Sequence, residues 1–192
     1  QQTGNYCVQD FVSNANCTAN DVRIEFLRVV SVRESCTEGV YGEAEIVIEV
    51  LVSADGSPNR FDIGLFLALD GGSALSGDNC FHDYLQPPLS ATPIYGDVNL
   101  DGIPDLHQPP WWDGEGQGDL CGDIERNTQV LKTLVPLRIA CVDNDGNGIV
   151  DISVATSWRS NGLADCFGIE QVYPGTSSKC SAPDPINLGF PV

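Results

Sequence analysis

The residues best suited to chemistry form an acidic turn at 143–151, DNDGNGIVD. Asp143, Asp145, Asn147, Gly148, Ile149 and Asp151 occupy positions one, three, five, six, seven and nine of an oxygen-rich loop of the kind that wraps calcium. Oxygen side chains at alternate positions converge on one hard cation because the chain curls around it. Gly148 permits the bend, and Ile149 offers its backbone carbonyl while its side chain turns inward. Position twelve, where a bidentate Glu would stand, is Val154, so Asp151 has to close the site. Alternating apolar runs flank the turn, so the pattern predicts a calcium-clamped β-hairpin. The competing reading is an Asn/Asp/Gly turn with no metal.

A second loop of the same grammar runs Asp97, Asn99, Asp101, Gly102, Ile103, Asp105, with Gln108 at position twelve, so Asp105 must close it. A third candidate, Asp113, Glu115, Gln117, Gly118, departs from the pattern because position nine is Cys121. Asp119 and Asp123 are available to complete it, and a disulfide-pinned acidic loop is the equal alternative. A Ser-His-Asp nucleophile would have to use His82 or His107, the two histidines of the chain. No GxSxG elbow exists, and Gly71-Gly72-Ser73 reads as a turn after a strand. Nothing singles out a glycosidase carboxylate pair among so many acids. Trp111-Trp112, beside Pro109-Pro110, is a candidate ligand platform for stacking on sugar rings, although capping of the core is the favoured reading of those rings. The sequence therefore predicts no enzyme.

The two complete loops, DVNLDGIPD and DNDGNGIVD, resemble the DxDxDGxxD loops of thrombospondin type 3 repeats, dockerins and integrin-type propellers. The resemblance implies bound calcium in a structural role, and it stops at the local site because no dockerin helices flank the loops and the loops are not tandem. More widely, IGLFLALDGGSALSGDNCFHDYL, GDLCGDI, CVDNDGNGIVDISVATSW and YPGTSSKC look like a β-rich domain repeated in large secreted bacterial surface proteins. That resemblance implies a structural rather than a catalytic role.

Composition narrows the setting. Nine basic against 27 acidic residues give a formal net charge of -18, which repels nucleic acid and anionic membranes. Bound cations are expected to neutralise part of it. No apolar run approaches the roughly 20 residues of a membrane span, so no insertion is expected. The chain starts at Gln1 and has no Met, which suggests a removed secretory signal. Its eight Cys, none in a CxxC pair, read as disulfides of an oxidising, extracellular setting rather than zinc ligands. Connectivity is not fixed by sequence. Local pairing would join Cys7 with Cys17, Cys80 with Cys121 and Cys141 with Cys166, leaving Cys36 for Cys180. Asn16-Cys17-Thr18 is a glycosylation triplet that a disulfide at Cys17 would hinder.

The elements that would position these residues are strands. Alternation predicts strands at 22–32 and 43–52, a central strand at 61–69, and further strands at 129–142, from the acidic turn to Trp158, and at 168–173. About seven strands without an amphipathic helix predict one all-β domain, an antiparallel β-sandwich. Within it, 1–20 is an irregular lead-in and 70–126 a long insertion ordered by metal and disulfides. The tail, 181–192, carries Ile186, Leu188, Phe190 and Val192 at alternate positions. It either folds back on its own sandwich or adds to an exposed sheet edge of the next copy, and the second case predicts a head-to-tail filament. The chain is thus expected to be a secreted, calcium- and disulfide-stabilised structural protein, a subunit of a cell-surface filament or appendage with copies of itself as partners. The alternative is an adhesin module that binds a glycan or surface protein through Trp111 and Trp112.

Overall fold

The computed structural model describes residues 3–36, 42–54, 58–86, 94–96, 105–108, 111–113, 120–163, 166–175 and 179–192; within 94–96, 105–108 and 111–113, and at Glu34, the description is of backbone only. In chain order the elements are α1 (Val8–Phe11), β1 (Val22–Glu34), β2 (Glu43–Ala54), β3 (Phe61–Ala68), β4 (Cys80–Tyr84), β5 (Ile94–Gly96), β6 (Asp105–Gln108) and β7 (Trp111–Asp113). They continue with β8 (Asp123–Ile124), β9 (Gln129–Thr133), β10 (Leu137–Ala140), β11 (Ile149–Ile152) and β12 (Val154–Arg159). A 3-10 turn at Ile169–Gln171, β13 (Cys180–Ser181) and β14 (Ile186–Pro191) complete the chain.

The protein is all-β, with antiparallel sheets packed face to face, as the alternation predicts. In one sheet β2 pairs with β1 along one edge, and along the other with β10 and β9 end to end. The expected single strand at 129–142 is broken into β9 and β10 because Pro136 has no N–H to continue the ladder. The facing sheet has the order β13-β12-β3-β4. Ala44, Ile46, Ile48, Val50 and Val52 of β2 are buried against Ile63, Leu65 and Leu67 of β3 and the fully buried Trp158 of β12 within one core cluster. A period of two delivers every second side chain of each strand to that core.

Three strand expectations are corrected. The insertion at 70–126 is not a loop throughout: β4 completes the β3 sheet, and β5 to β8 form their own antiparallel sheet. Strands of two to four residues fall below the length at which alternation is readable. The expected strand at 168–173 is a 3-10 turn. The runs flanking the acidic turn do not form a hairpin: β10 pairs with β2 and β11 with β14, so the turn carries the chain out of one sheet. Asp151 N–H to Val142 carbonyl, at 2.8 Å, links its two sides.

The tail, with Ile186, Leu188, Phe190 and Val192, takes the first of the two courses open to it and folds back on its own sandwich. β14 pairs with β11 of its own chain, Leu188 is buried in the core, and the other three pack partly buried against it. Burial of one apolar face makes folding back favourable. Pro185 and Pro191 sit at the ends of the ladder, where a missing N–H does little harm.

All eight Cys are paired, but not with near neighbours in sequence. The bonds are Cys7–Cys80, Cys17–Cys180, Cys36–Cys141 and Cys121–Cys166. The local pairs fail because an antiparallel sandwich places the ends of distant strands side by side. Cys36 follows β1 and Cys141 follows β10, which flank the same end of β2, so their Cα atoms are 5.8 Å apart despite 105 residues of separation. Four such bonds belong to an oxidising compartment. Among the described residues no helix is long and apolar enough to cross a membrane.

Candidate metal centre

The turn after Cys141 is built from its own side chains. Asp143 accepts backbone N–H bonds from Gly146 (Oδ1, 2.6 Å), Asn147 (Oδ1, 3.1 Å) and Gly148 (Oδ2, 2.7 Å). The Gly148 bond leads, with Gly146 and Asn147 behind it, in holding this carboxyl below the usual carboxylate range. Gly146 and Gly148 both have positive φ, 79° and 84°, which is why two glycines stand here. Asn147 accepts from the Ile149 N–H and Asp151 Oδ2 from the Asn144 N–H, both closing the curl.

Carboxylate oxygens of Asp143, Asp145 and Asp151 come within 4.8 Å of one another, three of the five liganding positions expected from sequence. Such crowding of negative charge suits a divalent cation held by several oxygens. Asp145 is exposed, Asp143 half-buried and Asp151 buried at 3% exposure, so the site opens outward from a rigid floor. Asn147 shares the turn with its amide directed to Asp145, while Ile149 begins β11.

Two supports hold the turn in place. Cys36–Cys141 fixes its root. The neighbouring loop after β3 docks beside it: Asn144 Nδ2 donates to the Gly71 carbonyl at 3.4 Å, and Gly71, at φ 76°, lies against Val142. A Cβ on Gly71 would stand 2.5 Å from a Val142 methyl, so only glycine allows this approach. That loop is organised by Asp70, whose carboxylate accepts N–H bonds from Gly72, Asp78 and Asn79. Partial burial raises its pKa, but these bonds outweigh that and leave it lowered. Asp70 was not legible as an organiser; its only sequence signal is the Asp-Gly-Gly that follows a strand.

The other site residues divide. Asp97, Asn99, Asp101, Ile103, Glu115, Gln117 and Asp119 lie outside the described residues. Asp105 opens β6 opposite Gly96, and Asp113 closes β7 opposite Leu106; their side chains are not described. Trp111 and Trp112 lie on β7, paired with Gln108 and His107 on one side and with Ile124 and Asp123 on the other, again as backbone. Asp123 is fully buried and accepts from the Asp62 N–H at 3.0 Å, so it serves the interior rather than a surface loop. Asp62 also lies near the sulfurs of Cys121 and Cys166, but these are joined as a disulfide and supply no thiolate. Asn16 is exposed and adjoins the Cys17–Cys180 bond.

His82, one of the two histidines a nucleophile system would need, lies on a strand. It sits fully buried in β4, stacked on Phe66 with ring centres 4.1 Å apart and edged by Phe11 and Tyr6. Burial lowers its pKa to about 3, with the Val172 backbone opposing this only weakly, and no side-chain partner reaches either ring nitrogen. It is a neutral, packed ring. Comparison with family models, with curated proteins and with solved structures found no match to this chain.

Proposed function

We propose that this chain is a non-catalytic extracellular structural domain whose turn at 143–151 binds calcium and fixes the corner where the chain leaves one sheet for another. The observation that carries the reading is the convergence of Asp143, Asp145 and Asp151 in a turn rooted by a disulfide. An ion there would neutralise three mutually repelling carboxylates and tie β11 to the end of β10. β11 in turn holds the tail strand, so metal at the corner would also secure the C-terminal part of the core. The loop at 97–105 is proposed as a second site on its spacing alone.

Four disulfides and a net charge of -18 support an extracellular setting, where free calcium is abundant enough for sites of modest affinity. A place at a cell surface is part of the same proposal. Self-assembly through the tail would require strand exchange, with β14 of one copy replacing β14 of the next. The test is a thermal melt in millimolar calcium and in chelator. A filled site stabilises by mass action, about 2.7 kcal/mol at a hundredfold excess over the dissociation constant. Identical melts would end the calcium reading.

A further inference from the structure

The sandwich interior holds a lysine. Lys132 lies on β9 in phase with Val130 and Leu134, both buried in the core, and opposite Val50 of β2. From the facing sheet, Asp83 lies on β4 in phase with Phe81 and opposite Leu65. The two side chains meet between the sheets: Lys132 Nζ is 2.9 Å from Asp83 Oδ2, with side-chain exposures of 9% and 0%. Backbone groups of Tyr84 bind both partners. Its carbonyl accepts from Lys132 Nζ at 2.6 Å, and its N–H donates to Asp83 Oδ1 at 2.8 Å.

From this geometry we propose that Lys132 and Asp83 condense to an intramolecular amide, a covalent cross-link between the two sheets of the sandwich.

The arrangement supplies what the reaction needs. The 2.9 Å contact between Lys132 Nζ and Asp83 Oδ2 holds the nitrogen against the carboxyl group it would attack, so the two groups meet without a diffusional search. Burial holds the Lys132 amine below the usual lysine range, against the pull of Asp83, which favours the neutral nucleophile. Transfer of one ammonium proton to Oδ2 converts the ion pair into an amine and a carboxylic acid. The nitrogen lone pair then attacks Cγ. Negative charge develops on Oδ1, where the Tyr84 N–H already donates. A second proton passes from nitrogen to the departing Oδ2, the Cγ–Oδ2 bond breaks, and water leaves. Three ammonium protons are thereby distributed as one on the amide and two on the water. A charged pair becomes one neutral group, which removes the desolvation burden of two buried ions. No cofactor or oxidant takes part, and the step is independent of the metal.

The experiment is intact-mass measurement on the full chain, produced through an oxidising secretory route, then denatured and fully reduced. The expected mass is one water below that required by the sequence. Protease digestion should yield a branched peptide joining the segment with Asp83 to the segment with Lys132, resistant to reductant. Lys132→Arg, which keeps the charge and lacks the nucleophile, should restore the full mass and release the two segments separately. Full mass in the wild type, with residues 83 and 132 on separate peptides, overturns the proposal and leaves a buried ion pair. Loss of water mapped to another site, such as a cyclised Asp-Gly, overturns it equally. Because the wild-type peptide map decides the matter, a Lys132→Arg chain that fails to fold leaves the test intact.

Discussion

Acid should unfold this protein partly through one ring. His82 is fully buried, and burial lowers its pKa from 6.5 to about 3. The unfolded chain takes up a proton near pH 6.5, while the folded chain refuses it until about pH 3. The contribution of neutral His82 is therefore fully present above pH 6.5 and is lost as pH falls from there toward 3. Each pH unit in that window removes about 1.4 kcal/mol, or about 3 kcal/mol between pH 7 and pH 4. Carboxylates also titrate in this range, so the comparison has to be between the wild type and His82→Phe, whose ring can keep the stack on Phe66. Urea unfolding followed by fluorescence at a series of pH values gives both curves. The wild type should lose stability more steeply by about one proton's worth of slope, whatever the offset between the two proteins. Parallel curves would refute the burial argument and would mean that His82 finds a partner or water in solution.

Four further outcomes follow from the packing. Peptide mapping without reduction should recover Cys7–Cys80, Cys17–Cys180, Cys36–Cys141 and Cys121–Cys166. Replacing Cys36 and Cys141 together should cost about 3–5 kcal/mol in chemical unfolding, because a long loop is released. Leu188→Ala should cost about 2–4 kcal/mol, since the residue is 3% exposed. Deleting residues 186–192 should lower the melting temperature more than that single change does, because β11 loses its partner strand. A tail deletion with an unchanged melt would show that β14 does not belong to the fold.

How much of this was legible depended on strand length and on range. β2 spans twelve residues with one wet face, and its alternation alone located five core positions. β5 to β8 are too short to show any period, and their region shows mainly Gly, Pro and Asp in sequence. Disulfide partners were hidden because they depend on which strands lie side by side, a property of the whole sheet. The acidic turn was legible because its carboxylates are local: spacing within nine residues decides whether the oxygens meet. What stayed hidden there was the path of the chain, since a turn between sheets and a hairpin share the same residues. Lys132 carried a signal that went unread. In Gln129–Thr133 it falls on the inward phase with Val130, and a charge on that phase demands a buried partner.

The central claim, that the turn at 143–151 is a calcium site, is tested most directly by calorimetric titration of calcium into metal-free protein. Asp143→Asn and Asp151→Asn should be titrated alongside the wild type. The account predicts saturable binding to the wild type, with one site's worth of heat lost in each variant while the far-UV spectrum is unchanged. Wild-type protein that binds no calcium, or variants that bind as the wild type does, would contradict it.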